Sequence, residues 1–317
     1  MWQDNLKYKL QCPTLKVHDQ DMKTVKSQRY LGDIISSSGT YKDCVEDRRN
    51  KGWGKVAEIA GILSEMPSTR KVEIGLKMRE AKLLNSMIFS TEEWSSISNG
   101  EMTRLEQVDM SLLRSLVEGH SKCSRAFILM EFGVLEIRHR ITIRRLMFHH
   151  HLVTRDSNEL IFKVWQKQKE DSLKGDWYQT LEKDFQFISE EIDDEKIRKN
   201  LKYMYKKYIK LEVEQAAFQP YLEAKERSKN KMHLLQYKTL GFQCYLTDNS
   251  FSHNEFKLLF SLRSNCYSVE TNFRKMNKGY LQCIFECDKN KPQIYIFENC
   301  QPIEKKLNCR SKTSVGT

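Results

Sequence analysis

Proline is scarce, five in 317 residues, and none falls between Pro67 and Pro220. Glycine is thin in the same stretch, so little prevents it from being helical almost throughout. Long apolar runs are missing as well. The longest uncharged stretches, such as residues 83–91, reach about half of the roughly 20 residues that a membrane-spanning helix needs. The first ten residues mix polar and charged side chains with no apolar centre, which predicts no secretory signal. Cysteine numbers nine, an odd count with most members far apart, which argues against a secreted disulfide framework. The expected compartment is reducing, nucleus or cytoplasm.

Charge is what the chain has in abundance. Lysine and arginine total 53 against 42 acids, a net +11. That balance favours a polyanionic partner such as nucleic acid or an anionic membrane surface. With 39% hydrophobic residues, the chain can bury a real core in one large or two medium domains.

Short alternating runs at 14–17 and 22–25 flank His18-Asp19-Gln20-Asp21 and predict a β-hairpin; Tyr30 to Ile35 is a third apolar run. The period then changes. Val45, Trp53, Val56, Ile59, Ala60 and Leu63 mark one helical face. After Pro67, with Ser68 or Thr69 as cap, Val72 to Ile88 mark a second helix that ends near Trp94. Leu105 to Leu116 mark a third, closed by Gly119, and three such helices with short connections predict a bundle. Ala126 to Phe132 leads to Gly133. Residues 137–153 read as a helix with Arg138, Arg140, Arg144 and Arg145 and no acid. From Ser189 a further helix places acids first and bases last, as the helix dipole favours. Lys199, Lys202, Lys206 and Lys210 share one of its faces, opposite Ile197, Leu201, Tyr205 and Tyr208.

No constellation argues for catalysis. Asp193 and Asp194 point about 100° apart on a helix and suit its N-terminus rather than a metal pair. His149-His150-His151 cannot converge on one ion from consecutive helical positions, and reads as a partly exposed basic face. Gly52-Trp53-Gly54-Lys55 lies within a helical period and lacks phosphate-loop spacing. The arginine and lysine helices can either contact phosphates or form solvated faces. Cys283, Cys287 and Cys300 have the outline of a small zinc knuckle, but Tyr295 stands where a histidine ligand is expected. Zinc and unliganded thiols both remain open there, the thiols being the simpler reading.

Several fragments occur in a familiar order: Tyr30-Leu31-Gly32-Asp33-Ile34-Ile35, Asp47-Arg48-Arg49-Asn50-Lys51-Gly52, Glu92-Glu93-Trp94 and Leu105-Glu106-Gln107-Val108-Asp109. They continue in Glu131-Phe132-Gly133-Val134-Leu135-Glu136-Ile137-Arg138, Arg144-Arg145-Leu146-Met147-Phe148-His149, Leu259-Phe260-Ser261-Leu262-Arg263-Ser264 and Gln293-Ile294-Tyr295-Ile296-Phe297-Glu298-Asn299-Cys300. Over nearly the whole chain this order resembles the C-terminal part of the reverse transcriptases of non-LTR (LINE-like) retrotransposons.

The resemblance implies a mainly α fold in four parts. Residues 1–40 would be a palm remnant with a primer-gripping hairpin, and 41–120 a thumb-like helical bundle. Residues 121–265 would form a helical linker, and 266–317 a degenerate zinc-knuckle segment. It implies RNA and DNA as partners (template–primer or target duplex), with no membrane. Tyr30, Leu31, Gly32, Arg48, Arg49, Lys51, Arg144, Arg145, Lys199, Lys202 and Lys206 are the candidate contacts, and Cys283, Cys287 and Cys300 the candidate zinc ligands. The family's catalytic aspartates precede the hairpin, and no two-metal carboxylate arrangement occurs there in this sequence. Catalytic magnesium is therefore not expected, and the chain should not polymerise DNA alone. The competing expectations are a helical protein-interaction module and a retroelement relic without function.

Overall fold

The computed structural model describes residues 16–17, 20–21, 25–95, 97–119, 123–189, 194–199, 201–227, 241–248 and 250–264. The fold is mainly α, and the chain divides into two compact units, Met1–Asp47 and Arg48–Thr317. Among the described residues no helix is long and apolar enough to cross a membrane.

The first unit carries two hairpins. β1 (Lys16–Val17) pairs antiparallel with β2 (Gln20–Asp21), so the expected hairpin turns within fewer residues than the alternating runs suggested. The apolar run after it is not a single strand. β3 (Ser27–Tyr30) turns at Leu31-Gly32 and pairs with β4 (Asp33–Ser36), with Tyr30 opposite Asp33. Leu31 and Gly32 both have positive φ, 46° and 96°, as the two-residue hairpin turn that matches strand twist requires. Glycine suits its position at little cost, whereas leucine does not. The Cys44 thiol donates to the Ile34 carbonyl at 2.9 Å, and Arg29 meets Asp47 at 2.5 Å, fastening β3 and β4 to the first turns of α1 (Lys42–Leu63). Gly52-Trp53-Gly54-Lys55 is helical, inside α1.

In the second unit, α2 (Ser68–Met78) begins behind Pro67, and the expected long second helix does not run straight on. It widens into a π-helical stretch, Arg79–Leu84, resumes as α3 (Asn85–Met87) and ends in the 3-10 turn Thr91–Glu93. The wider turn buries Arg79, Leu83 and Leu84 together. α4 (Asn99–Leu116) starts in a capping box: Ser98 Oγ accepts from the Glu101 N–H, and the Glu101 carboxylate accepts from the Ser98 N–H. α5 (Arg125–Phe132) stops at Gly133, whose φ of 61° permits the αL cap; a Cβ there would lie 2.5 Å from the Phe242 backbone nitrogen.

α6 (Ile137–Val153) has the boundaries that its periodicity predicts, and it is the axle of the unit. It touches α4, α7 (Leu160–Asp171), α8 (Trp177–Phe185), α9 (Asp194–Lys199), α10 (Lys202–Arg227) and the Thr91–Glu93 turn. Asp176 caps α8 by accepting from the Gln179 N–H at 2.8 Å. One core joins Leu146, Val153, Trp165, Trp177, Leu181, Ile197, Tyr205, Ile209 and Val213. Leu83, Leu105, Leu112, Phe127 and Phe260 are likewise fully buried, the last on α11 (His253–Arg263), where its ring meets Phe127 edge-on. The acidic-then-basic segment after Ser189 is not one helix: α9 and α10 are separate, and Leu201 between them is exposed rather than on a buried face.

Helices on both sides of residue 120 share this packing. Arg79 donates twice to Asp109, at 2.6 and 2.7 Å, and also to the Leu135 carbonyl at 3.1 Å. Neither charged side chain reaches solvent appreciably (0% and 3%). Burial works against the guanidinium's charge, but the carboxylates of Asp109 and Glu80 together more than offset it and raise the Arg79 pKa. Glu106 of α4 similarly takes Arg125 and Arg138 from the other side of that point.

Replacing Asp109 by alanine strands a buried cation, so urea unfolding should show a loss of about 3–5 kcal/mol. A change under about 1 kcal/mol would show that the pair does not hold α4 to the π-helical stretch.

Candidate nucleic-acid interface

α6 carries four arginines and no acid of its own, and each arginine reaches a carboxylate on a different neighbour. Arg138 grips Glu106 of α4 at 2.7 and 3.0 Å. Arg140 grips Glu80 of the π-helical stretch at 2.7 and 2.6 Å. Arg144 meets Glu92 of the 3-10 turn at 3.2 Å, and Arg145 meets Asp184 of α8 at 2.5 Å. The Thr142 hydroxyl donates to the same Asp184 carboxylate. Arg145 is therefore removed as a phosphate contact: its side chain is 5% exposed and faces inward to hold α8. Arg144 stays at the surface, 35% exposed, with its guanidinium on the rim of a groove.

That groove, about 800 Å³, lies between α6 and α10. Lys202, Lys206 and Lys210 line the α10 side, successive members one i, i+4 step apart and so about 6 Å along the axis. Lys210 stands 3.6 Å from Glu214. Lys202 and Lys206 are exposed and form no ion pair among the described residues. Glu80 and Glu92 stand across from them, already holding Arg140 and Arg144. The lining counts five lysines and arginines against three glutamates, so the groove is cationic, with the excess on the α10 wall. Ile143, Met147 and Phe148 of α6 are among its apolar lining residues.

The structure thus brings Arg144, Lys202 and Lys206 together, and leaves the other expected contacts elsewhere. Lys199 belongs to α9, 3.6 Å from Glu195, and does not line the groove. Arg48 is buried, its guanidinium 5.2 Å from the Phe89 ring, while Arg49 and Lys51 are half-exposed on α1. Tyr30 and Leu31 are 61% and 81% exposed at the tip of the β3–β4 hairpin, with Gly32 completing the turn. Cys283, Cys287, Cys300 and Tyr295 lie outside the described residues. Among the described residues no cluster of three or more potential ligands could hold a metal ion.

Several lining residues were not singled out from sequence. Glu80 and Glu92 come to Arg140 and Arg144 across 60 and 52 positions, for which no local pattern exists. Phe148 and His151 stand one helical turn apart, a spacing that equally describes a core face.

Of the partly exposed basic face expected of the histidine run, only His151 remains. His149 and His150 are 2% and 5% exposed; only His151 turns to the groove. The His149 ring packs against Trp165 and Phe185. Burial holds its pKa below the usual histidine range, although Asp194 stands 3.4 Å away and pulls the other way. Burial lowers His139 in the same manner.

Both imidazoles are neutral in the fold and free to protonate once unfolded, so the unfolded state binds more protons below about pH 6.5. Their contribution to stability is complete above that value and is lost as pH falls from it towards the depressed folded-state pKa values. Thermal unfolding followed from about pH 8 to about pH 5.5 should show a falling midpoint below about pH 6.5. A level midpoint across that window would contradict the burial of these rings. No family model, curated protein or solved structure matches the chain.

Proposed function

We propose that the chain is a non-catalytic nucleic-acid-binding protein, corresponding to the thumb and linker of a non-LTR retrotransposon reverse transcriptase. RNA or DNA docks in the groove between α6 and α10. The observation that carries this is the pair Lys202 and Lys206: two exposed lysines one turn apart, without carboxylate partners among the described residues, in a groove shared with Arg144. Lysines so placed are available to replace the counterions of a phosphate backbone. Arg144 stands on the facing wall of the groove, paired with Glu92. Arg145, held by Asp184, contributes shape and not contact. The order of family-like fragments supplies the link to reverse transcriptases, and it assigns the exposed hairpin tip at Tyr30, Leu31 and Gly32 to the primer side. No residue of the chain is given a catalytic role.

A docking role towards protein is the second reading, and it draws on α7. Leu160, Ile161 and Val164 there are 77%, 39% and 48% exposed. The double variant Lys202→Glu/Lys206→Glu separates the two. It should weaken binding to oligonucleotides and make the slope of log affinity against log salt shallower by about 1.5 to 2. Binding that is absent at low salt, or a slope unchanged in the variant, would remove the nucleic-acid reading and leave the α7 surface as the better candidate.

A further inference from the structure

We infer that the groove takes a single strand with its bases unpaired, and not the outer face of a duplex. The inference rests on the nucleic-acid reading above and specifies the form of its ligand.

The two sides of the groove ask for different things. On the α10 side, Lys202, Lys206 and Lys210 repeat at about 6 Å, a step comparable with that between adjacent phosphates of one strand. On the facing side, Glu80 and Glu92 already neutralise the arginines beside them and would repel a phosphate. A sugar–phosphate chain therefore follows α10, and whatever projects from it points towards α6.

Beside the paired arginines Arg140 and Arg144, α6 offers an apolar and aromatic surface there. Met147, Phe148 and Ile143 line the groove, and the Phe148 and His151 rings lie nearly parallel, 23° apart with centroids at 6.1 Å. The Phe148 ring is buttressed edge-on by Trp177 at 5.7 Å, which fixes its plane. His151 accepts hydrogen bonds at Nε2 from Arg155, at 3.2 and 3.0 Å, which fixes the second ring. Lys202 lies close enough to His151 to bear on its charge, so cation and ring serve the same stretch of the groove.

A paired duplex presents phosphates, sugars and groove edges, with its base faces stacked away. It would leave the aromatic platform uncovered. An unpaired base has an apolar face to lay on that platform, and base–aromatic stacking is tolerant of sequence.

The test is fluorescence anisotropy of the full chain with three probes of equal length and label, prepared as RNA and as DNA. One is an intact single strand, one the same strand made abasic, and one the fully paired duplex. The intact strand should bind about tenfold or more tightly than the abasic one, and the duplex no better than the abasic strand. Phe148→Leu keeps an apolar side chain against Trp177 but removes the ring, and should bring the intact strand down to the abasic level. Because the probe comparison uses the unaltered protein, it decides the matter even if that variant fails to fold. Equal affinity for intact and abasic strands, or strongest binding to the duplex, would overturn the single-strand inference while leaving the groove as a phosphate site. No binding of any probe at low salt would overturn both.

Discussion

Everything in the second unit turns on the charge balance of α6. A helix of 17 residues with four arginines and no acid must borrow its counter-charges, and it does so from four separate elements. Arg138 fixes α4, Arg140 the π-helical stretch, Arg144 the 3-10 turn and Arg145 α8. Arg79 and Asp109 add a fully buried pair that ties the π-helical stretch to α4 and to the Leu135 carbonyl. Such pairs contribute less to net stability than their Coulomb energy suggests, because both ions lose their water. Their geometry is demanding, however, and a missing partner is expensive. They fix where the elements sit more than how tightly the whole holds together.

This division of labour explains the groove. Arginine, with its planar fork, is used where two carboxylate oxygens must be met at once, as Arg140 meets Glu80. Lysine is left on α10, where Tyr205, Ile209 and Val213 anchor one face in the core and Lys202, Lys206 and Lys210 stand on the other. The frame is locked by arginines, and the mobile charge faces out on lysines. The walls of the groove differ in character for the same reason: Glu80 and Glu92 serve the arginines of α6, while α10 brings the lysines.

Local pattern revealed much of the fold. Period and the absence of proline gave α6 its limits, and Gly133 announced the end of α5. The lysine repeat of α10 was visible as spacing alone. The rest depends on contacts that no local pattern records. Arg138 meets Glu136 two positions away, but the carboxylates on other elements that meet Arg138, Arg140, Arg144 and Arg145 lie 32 to 60 positions away. An arginine-rich helix face therefore looks the same whether it meets solvent, phosphate or a neighbouring carboxylate. The histidine run misled for a related reason: consecutive histidines look polar, yet α6 is surrounded, so His149 and His150 have only core to enter. The π-helical stretch was hidden because one wider turn shifts the buried face without disturbing composition. At the hairpin, Leu31 in a positive-φ turn position concealed the reversal that Gly32 alone would have suggested.

Photochemical cross-linking tests most directly whether nucleic acid lies along α6 and α10. A uridine-rich strand bound to the intact chain, irradiated and digested, should leave its adducts on peptides from 141–155 and 202–214, with Phe148 and His151 foremost. Adducts confined to other surfaces, with these two peptides clean in a complex that demonstrably binds, would contradict that placement.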